Sequence, residues 1–239
     1  MPLVCRLTRK TYIYIPNHLS MINISRALFP VLIILNASCK GQAPQNNSTT
    51  NTESKPMQMV GGPCEGCEVV FEGMPETFSS VDTNEAWTGP SQKIKVSGKV
   101  LKKDGQTAAP NVIVYYYHTD HTGRYPRKPG KTGPLHGYLR GWVKTDADGN
   151  YTIYTGRPAS YPNSTIPAHI HILVKEPGID NAYYMNDIVF DDDPLLTAAE
   201  RKKTSNRGGP GILKFTPLGD MHVAIHNITL GLNIPDYSY

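Results

Sequence analysis

Cysteine is scarce in this chain: four residues in 239, at positions 5, 39, 64 and 67, too few for a disulfide scaffold. Cys64 and Cys67 have no second Cys-x-x-Cys pair to meet, which excludes a zinc site of the four-thiolate type. Long apolar runs are missing as well. The stretch Ala27–Leu35 is only nine residues long and is broken by Pro30, whereas crossing a bilayer takes about 20. Residues 1–38 hold Arg6, Arg9, Lys10 and Arg26 but no acidic side chain. The formal charge of +4 therefore belongs to that segment, and the remaining 20 basic residues balance 20 acidic ones. A neutral remainder gives no electrostatic case for nucleic acid. The sequence also lacks βαβ alternation, internal repeats and heptads, which excludes a doubly wound fold, a solenoid and a coiled coil.

The amino-terminal part reads as targeting. Met21 offers a second start, Arg26 a positive flank and Ala27–Leu35 an apolar core, followed by Asn36-Ala37-Ser38-Cys39. That is the layout of a secretory signal peptide ending in small residues. Cys39 resembles the lipidated cysteine of bacterial lipoproteins, although Asn36 stands where an aliphatic residue is usual. Residues 1–39 are thus expected to be an upstream extension plus a lipoprotein-type signal peptide. The expected location is the cell envelope, with membrane attachment through lipid at Cys39 alone, by more than one acyl chain. Residues 40–60, rich in Asn, Gln, Ser and Thr, lack periodicity and read as a flexible polar tether. Residues 61–239 form the expected folded domain, long enough for a sizeable core. Near its start, Cys64-Glu65-Gly66-Cys67 has three readings: a redox motif, half a zinc site or a small structural disulfide. An oxidising compartment favours the disulfide.

From Ile94 onward, short β-like runs alternate with turn signals. Strands are expected at Ile94–Leu101, Val112–His118, Tyr138–Lys144, Tyr151–Thr155, Ala168–Val174, Asp187–Phe190, Gly211–Thr216 and Met221–Ile228. Lys103-Asp104-Gly105 and Asp148-Gly149-Asn150 are hairpin-type turns. One helix is expected over Leu195–Lys203, with Asp193 as cap and Pro194 in the first turn. The fold class is mainly β: a sandwich of short strands with one short helix and long loops.

Within this pattern, His169 and His171 lie two apart in an apolar strand, so both imidazoles leave the same face of a sheet. Imidazole is the commonest neutral metal ligand, and such a pair is half of a metal site. Gly123-Arg124-Tyr125 and Ser160-Tyr161-Pro162 place two further tyrosines in punctuated loops upstream, with Thr145–Tyr151 between them. Phe190-Asp191-Asp192-Asp193-Pro194 follows. Taken in order over residues 94–216, these motifs resemble the intradiol ring-cleavage dioxygenases of the protocatechuate and catechol type.

The resemblance implies a non-haem ferric iron, Fe(3+), held by Tyr125 and His169 as equatorial ligands and by Tyr161 and His171 as axial ones. It further implies a catecholic substrate opened by O2 to a muconate-type diacid, with Tyr161 leaving the metal and acting as base. Self-association into a homo-oligomer is left open. The family usually places an arginine three residues before its first histidine; here that position is Ile166. The interval from Tyr161 to His169 is shorter than usual, and Asp187 stands near a glutamine that supports the site in many members. Arg140 and Arg157 are the cations available to take the missing arginine's place. His118 and His121 are expected to face solvent, His136 to cap the substrate mouth, and His222 and His226 to be structural. A different class remains open: a transthyretin-like or carbohydrate-facing sandwich that binds without catalysis. A zinc hydrolase built on His-x-His lacks a third ligand at suitable spacing and leaves both tyrosines unexplained.

Overall fold

The computed structural model describes residues 59–128 and 135–238. The expected signal peptide, Cys39 and nearly all of the expected tether lie outside these residues. Twelve strands are present among them: β1 (Val81–Thr83), β2 (Lys93–Leu101), β3 (Ile113–His118), β4 (Arg140–Lys144), β5 (Asn150–Gly156), β6 (His169–Lys175), β7 (Tyr183–Tyr184), β8 (Ile188–Phe190), β9 (Ile212–Leu213), β10 (Thr216–Leu218), β11 (Met221–Ile225) and β12 (Ile228–Thr229). One sheet runs β1-β5-β2-β11-β10 with β12 beside β2, and the other runs β4-β3-β6-β8-β9 with β7 beside β6. Both are mixed: β1 is parallel to β5, β11 and β12 to β2, and β9 to β8.

Alternation in the sequence explains the layering. Ile94, Val96 and Val100 of β2 and Tyr151 and Ile153 of β5 face Val114 and Tyr116 of β3 and Ile170, Ile172 and Val174 of β6 in one buried cluster. Each such aliphatic side chain contributes about 1.5–3 kcal/mol by leaving water. Turn chemistry closes the strands. Asp104 Oδ1 accepts from the amides of Gln106 and Thr107, and Asp146 Oδ1 from those of Asp148 and Asn150.

Three expected elements differ by more than one or two residues at an end. Gly211–Thr216 divides into β9 and β10, which belong to different sheets, because the chain crosses the sandwich at Lys214-Phe215. Met221–Ile228 divides into β11 and β12, and at the break Asn227 Oδ1 takes the amide of Lys99. The helix, α1, is shorter than expected, Ala198–Lys202, and its cap is Thr197, whose hydroxyl accepts from the amide of Glu200. Asp193 is diverted to another task. Its Oδ1 accepts from Leu195 N at 2.8 Å and its Oδ2 from Ala168 N at 3.0 Å, so this buried carboxylate pins the start of β6.

Candidate metal centre

With Ile170, Ile172 and Val174 turned inward, His169 and His171 must project from the outer face of β6. On β3, the same parity sends Tyr115 and Tyr117 outward, and Tyr117 is the register partner of His171. This outer face is covered by the segment ahead of β1. Its short 3-10 helix, Cys67–Phe71, buries Val70 against Tyr115, Tyr117, Leu173 and Ala182. Cys64 and Cys67 are joined by a disulfide, the structural reading of the Cys-x-x-Cys motif. The Trp142 indole donates to Val70 O at 2.8 Å and Arg140 Nη2 to Glu72 O at 2.7 Å, tying the segment to β4.

The two tyrosines arrive on loops that lean on each other. Ala159 N donates to Asp120 O at 3.0 Å, and Asp120 Oδ1 gathers the amides of Thr122 and Arg124. Gly123 has φ +77, and a side chain there would run into the Ser160 carbonyl. The bare Cα lets the loops close together. As a result, Tyr125 Oη lies 2.6 Å from Tyr161 Oη and 3.0 Å from His171 Nε2. Tyr161 Oη lies 3.4 Å from both His169 Nε2 and His171 Nε2, and the two Nε2 atoms are 3.2 Å apart.

The hydrogen bonds behind the rings decide what those nitrogens present. His169 Nδ1 is 2.7 Å from Pro167 O, and His171 Nδ1 is 2.9 Å from Asp187 Oδ1. A carbonyl and a carboxylate can only accept, so both Nδ1 atoms carry hydrogen and both Nε2 atoms offer lone pairs. Facing lone pairs repel. A proton relieves one pair, whereas a metal cation satisfies both nitrogens and both phenol oxygens at once. Burial, aided by His171, lowers the pKa of His169 and so favours its neutral, ligating form. Burial also raises both phenols, Tyr125 through a further contribution from Tyr161, so neither ionises at neutral pH unless a cation sits beside it. Two hard phenolate oxygens and two imidazoles suit ferric iron. The donor set fits.

Asp187 oxygen, His169 and His171 donor atoms also lie within 4.8 Å of one another. Because Asp187 Oδ1 is already taken by His171 Nδ1, its place is behind the imidazole, orienting and polarising it. The other sequence candidates go elsewhere. Arg140 is held by the Val69 and Glu72 carbonyls and lies over Trp142; Arg157 makes a two-pronged ion pair with Asp192 and lies over Phe190. Ile166 is 51 % exposed. None of these three lines the cavity beside the four donors, so no arginine substitution of the kind expected is made by Arg140 or Arg157.

That cavity, about 500 Å³, is lined by Tyr125, Tyr161 and His171 together with Glu65, Tyr117, Leu135, His136 and Tyr184. Tyr117 is stacked between His136 (3.7 Å between centroids) and His171 (4.4 Å), and its hydroxyl is 2.9 Å from that of Tyr184. Strand parity was the signal for Tyr117, since it shares a face with Tyr115; Tyr184 and Glu65 gave none. His136 is buried at the cavity wall. His121 is exposed, as expected. His118 is not: parity with Tyr116 turns it inward, where it bonds Thr119 O and Thr155 Oγ1. His226 is buried against the Tyr151 hydroxyl, a structural role.

Comparisons with known proteins bear on this arrangement. The family model described as Dioxygenase (Dioxygenase_C) matches residues 72–207, more than half of the chain. No curated protein matches it. Among solved structures, it is similar to the dioxygenase domain of a dioxygenase–carbohydrate-binding fusion from Streptomyces sp. SirexAA-E (22 % identity, 66 % of this chain and 88 % of that one, TM-score 0.46). It is also similar to catechol 1,2-dioxygenase from Acinetobacter sp. ADP1 (18 %, 65 % and 59 %, TM-score 0.48). Hydroxyquinol 1,2-dioxygenase from Pseudomonas putida DLL-E4 gives 20 %, 75 % and 68 %, with TM-score 0.48. The chain thus spans about three fifths of the Acinetobacter enzyme's length. Tyr125, Tyr161, His169 and His171 all fall inside the stretch that the family model covers, and the chain belongs to the intradiol dioxygenase family.

Proposed function

We propose that the protein is a non-haem ferric intradiol dioxygenase that opens a catechol ring between its two hydroxylated carbons, adding both atoms of O2 to give a muconate-type diacid. The supporting observation is the pair of Nε2 lone pairs 3.2 Å apart, with two phenol oxygens within 3.4 Å of them. Tyr125, Tyr161, His169 and His171 would hold the iron, which when bound supplies Lewis acidity and an electron-accepting centre for the reaction with O2.

The chain's own residues do the rest. Asp187 and the Pro167 carbonyl fix the two imidazoles with Nε2 toward the donors. Tyr161 would be the base, the part that the family resemblance implies for it; its oxygen lies 2.6 Å from that of Tyr125 and 3.4 Å from both Nε2 atoms, where it can give up its place at the metal and take a substrate proton. Tyr117 and Tyr184 form an aromatic wall of the cavity, whose volume of about 500 Å³ admits one planar ring with a short substituent.

The test combines metal and turnover. Protein loaded with ferric iron should bind about one ion per chain, take on the red to brown tint of phenolate–iron charge transfer, and consume O2 with catechol, protocatechuate or hydroxyquinol. Colourless protein that takes up no ferric iron would remove the reading. We also propose attachment to the cell envelope through lipid at Cys39; Cys39→Ser should move the protein from the membrane fraction to the soluble one.

A further inference from the structure

The two histidines of β6 are restrained unequally by hydrogen bonds. His169 is held locally, through the carbonyl of Pro167 two residues before it. His171 depends on Asp187, 16 positions onward, whose side chain is 36 % exposed. One bond at Nδ1 leaves an imidazole able to tilt. The Nε2 lone pair lies in the ring plane, so a tilt carries it away from the oxygens of Tyr125 and Tyr161, 3.0 and 3.4 Å distant.

Ring packing supplies the second restraint. Tyr117 stands opposite His171 in the β3–β6 register, and side chains paired in this way touch across a sheet. Its ring lies along that of His171, with centroids 4.4 Å apart and planes 24° from parallel. Behind Tyr117 comes His136, at 3.7 Å and 1°. His136 cannot retreat: it is buried, its Nδ1 is 3.0 Å from Tyr115 Oη, and a side chain at Gly66 would press on its Nε2. The Tyr117 hydroxyl, 2.9 Å from that of Tyr184, keeps the middle ring from sliding.

The remaining ring contacts of the pair are of another kind. His171 meets His169 and Tyr184 in T-shaped arrangements at 4.5 and 6.3 Å, and His169 meets Tyr161 likewise at 5.3 Å. Among the described residues, Tyr117 is the only ring stacked on either histidine.

We propose that Tyr117 is a positioning residue: backed by His136, it holds the His171 imidazole in the plane that aims Nε2 at the phenol oxygens. This rests on His171 serving as an iron ligand in the ring-opening reading above, and the experiment separates the two. Tyr117→Leu removes the ring, whereas Tyr117→Phe removes only the hydroxyl. Iron-loaded protein is challenged with a chelator, and the spread of ferric environments is read from the width of the electron paramagnetic resonance. Tyr117→Leu should lose iron at least about tenfold faster, as is typical when the support of a metal ligand is removed, and its resonance should broaden. Tyr117→Phe should behave as the wild type. A lower urea midpoint in Tyr117→Leu with unchanged resonance width and iron loss would mean packing alone and would overturn the proposal. So would Tyr117→Phe losing iron as fast as Tyr117→Leu.

If the wild type takes up no ferric iron, the ring-opening reading fails, and metal-free protein decides on Tyr117 separately. Carbon-13 relaxation of the His171 Cε1–H group should then show an ordered ring in wild type and Tyr117→Phe, and a lower order parameter in Tyr117→Leu. An order parameter unchanged in Tyr117→Leu would refute the assignment. Should Tyr117→Leu not fold, His136→Leu removes the backing ring instead. The same readouts should then move in the same direction, and their constancy would refute the assignment equally.

Discussion

The Nδ1 of His171 sits 2.9 Å from Oδ1 of Asp187, and this single contact sets both the tautomer of the imidazole and the direction of its other nitrogen. Partners of this kind typically change metal affinity by about 10- to 100-fold when removed. Asp187→Ala should therefore lower iron affinity by about tenfold or more, read as faster loss of iron to a chelator. Asp187→Asn keeps an accepting oxygen and should lose less. Equal retention in wild type and Asp187→Ala would show that the contact is incidental.

The two phenols should part company on mutation. Tyr161→Phe removes the proposed base as well as a proposed metal donor, and base removal alone typically costs about 10²-fold or more. Oxygen uptake should fall by at least that factor, while iron should be retained in part if Tyr125, His169 and His171 hold it. Tyr125→Phe should reduce iron content itself. Metal analysis alongside an oxygen electrode distinguishes the two outcomes.

Gly123 makes a prediction about geometry alone. Its φ of +77 and its closeness to the Ser160 carbonyl leave no room for a methyl group. Gly123→Ala should cost about 1–3 kcal/mol through strain and should separate the loops bearing Tyr125 and Tyr161. Both a lower urea midpoint and weaker phenolate–iron colour are expected. Loss of stability with full colour would mean that the phenols are positioned by something other than this contact.

His118 and His226 contribute to stability in acid. Burial pushes both down to about 4 in the folded chain, against about 6.5 when unfolded. The unfolded chain therefore takes up protons first. Their contribution is complete above pH 6.5 and is lost as pH falls toward 4, up to about 3 kcal/mol for each. Carboxylate effects such as that of Asp104, held to about 2 by Thr107 and neighbouring amides, come into play lower on the scale. Urea midpoints should decline across this window, and more shallowly in His226→Gln. A midpoint constant from pH 7 to pH 4.5 would contradict it.

Much of this was legible in the order of residues, and the exceptions have physical causes. Two-residue alternation was enough to put His169 and His171 on one face, and loop punctuation set Tyr125 and Tyr161 apart from the strand tyrosines. The same alternation, applied to Tyr116, would have placed His118 inside; its polarity suggested solvent instead, whereas Asn84 and Thr155 were waiting to bond it. Arg140 and Arg157 were beyond sequence reasoning. Long flexible cations go where acceptors are, and theirs lie 68 and 35 positions away in Glu72 and Asp192. Asp193 preceded a proline in the manner of a helix cap, but the amide of Ala168, 25 residues back, competed for it. The cavity wall draws on Glu65, Tyr117 and Tyr184 from three separate stretches, and nothing local in the sequence brings them together.

Strand β6 serves two masters on opposite sides of one ribbon: Ile170, Ile172 and Val174 fasten the sheets, and His169 and His171 bear the chemistry. Changes to the second set leave the fastening untouched. What the cleft admits can therefore be altered from the covering segment and the outer face while the packing between the two sheets stays as it is.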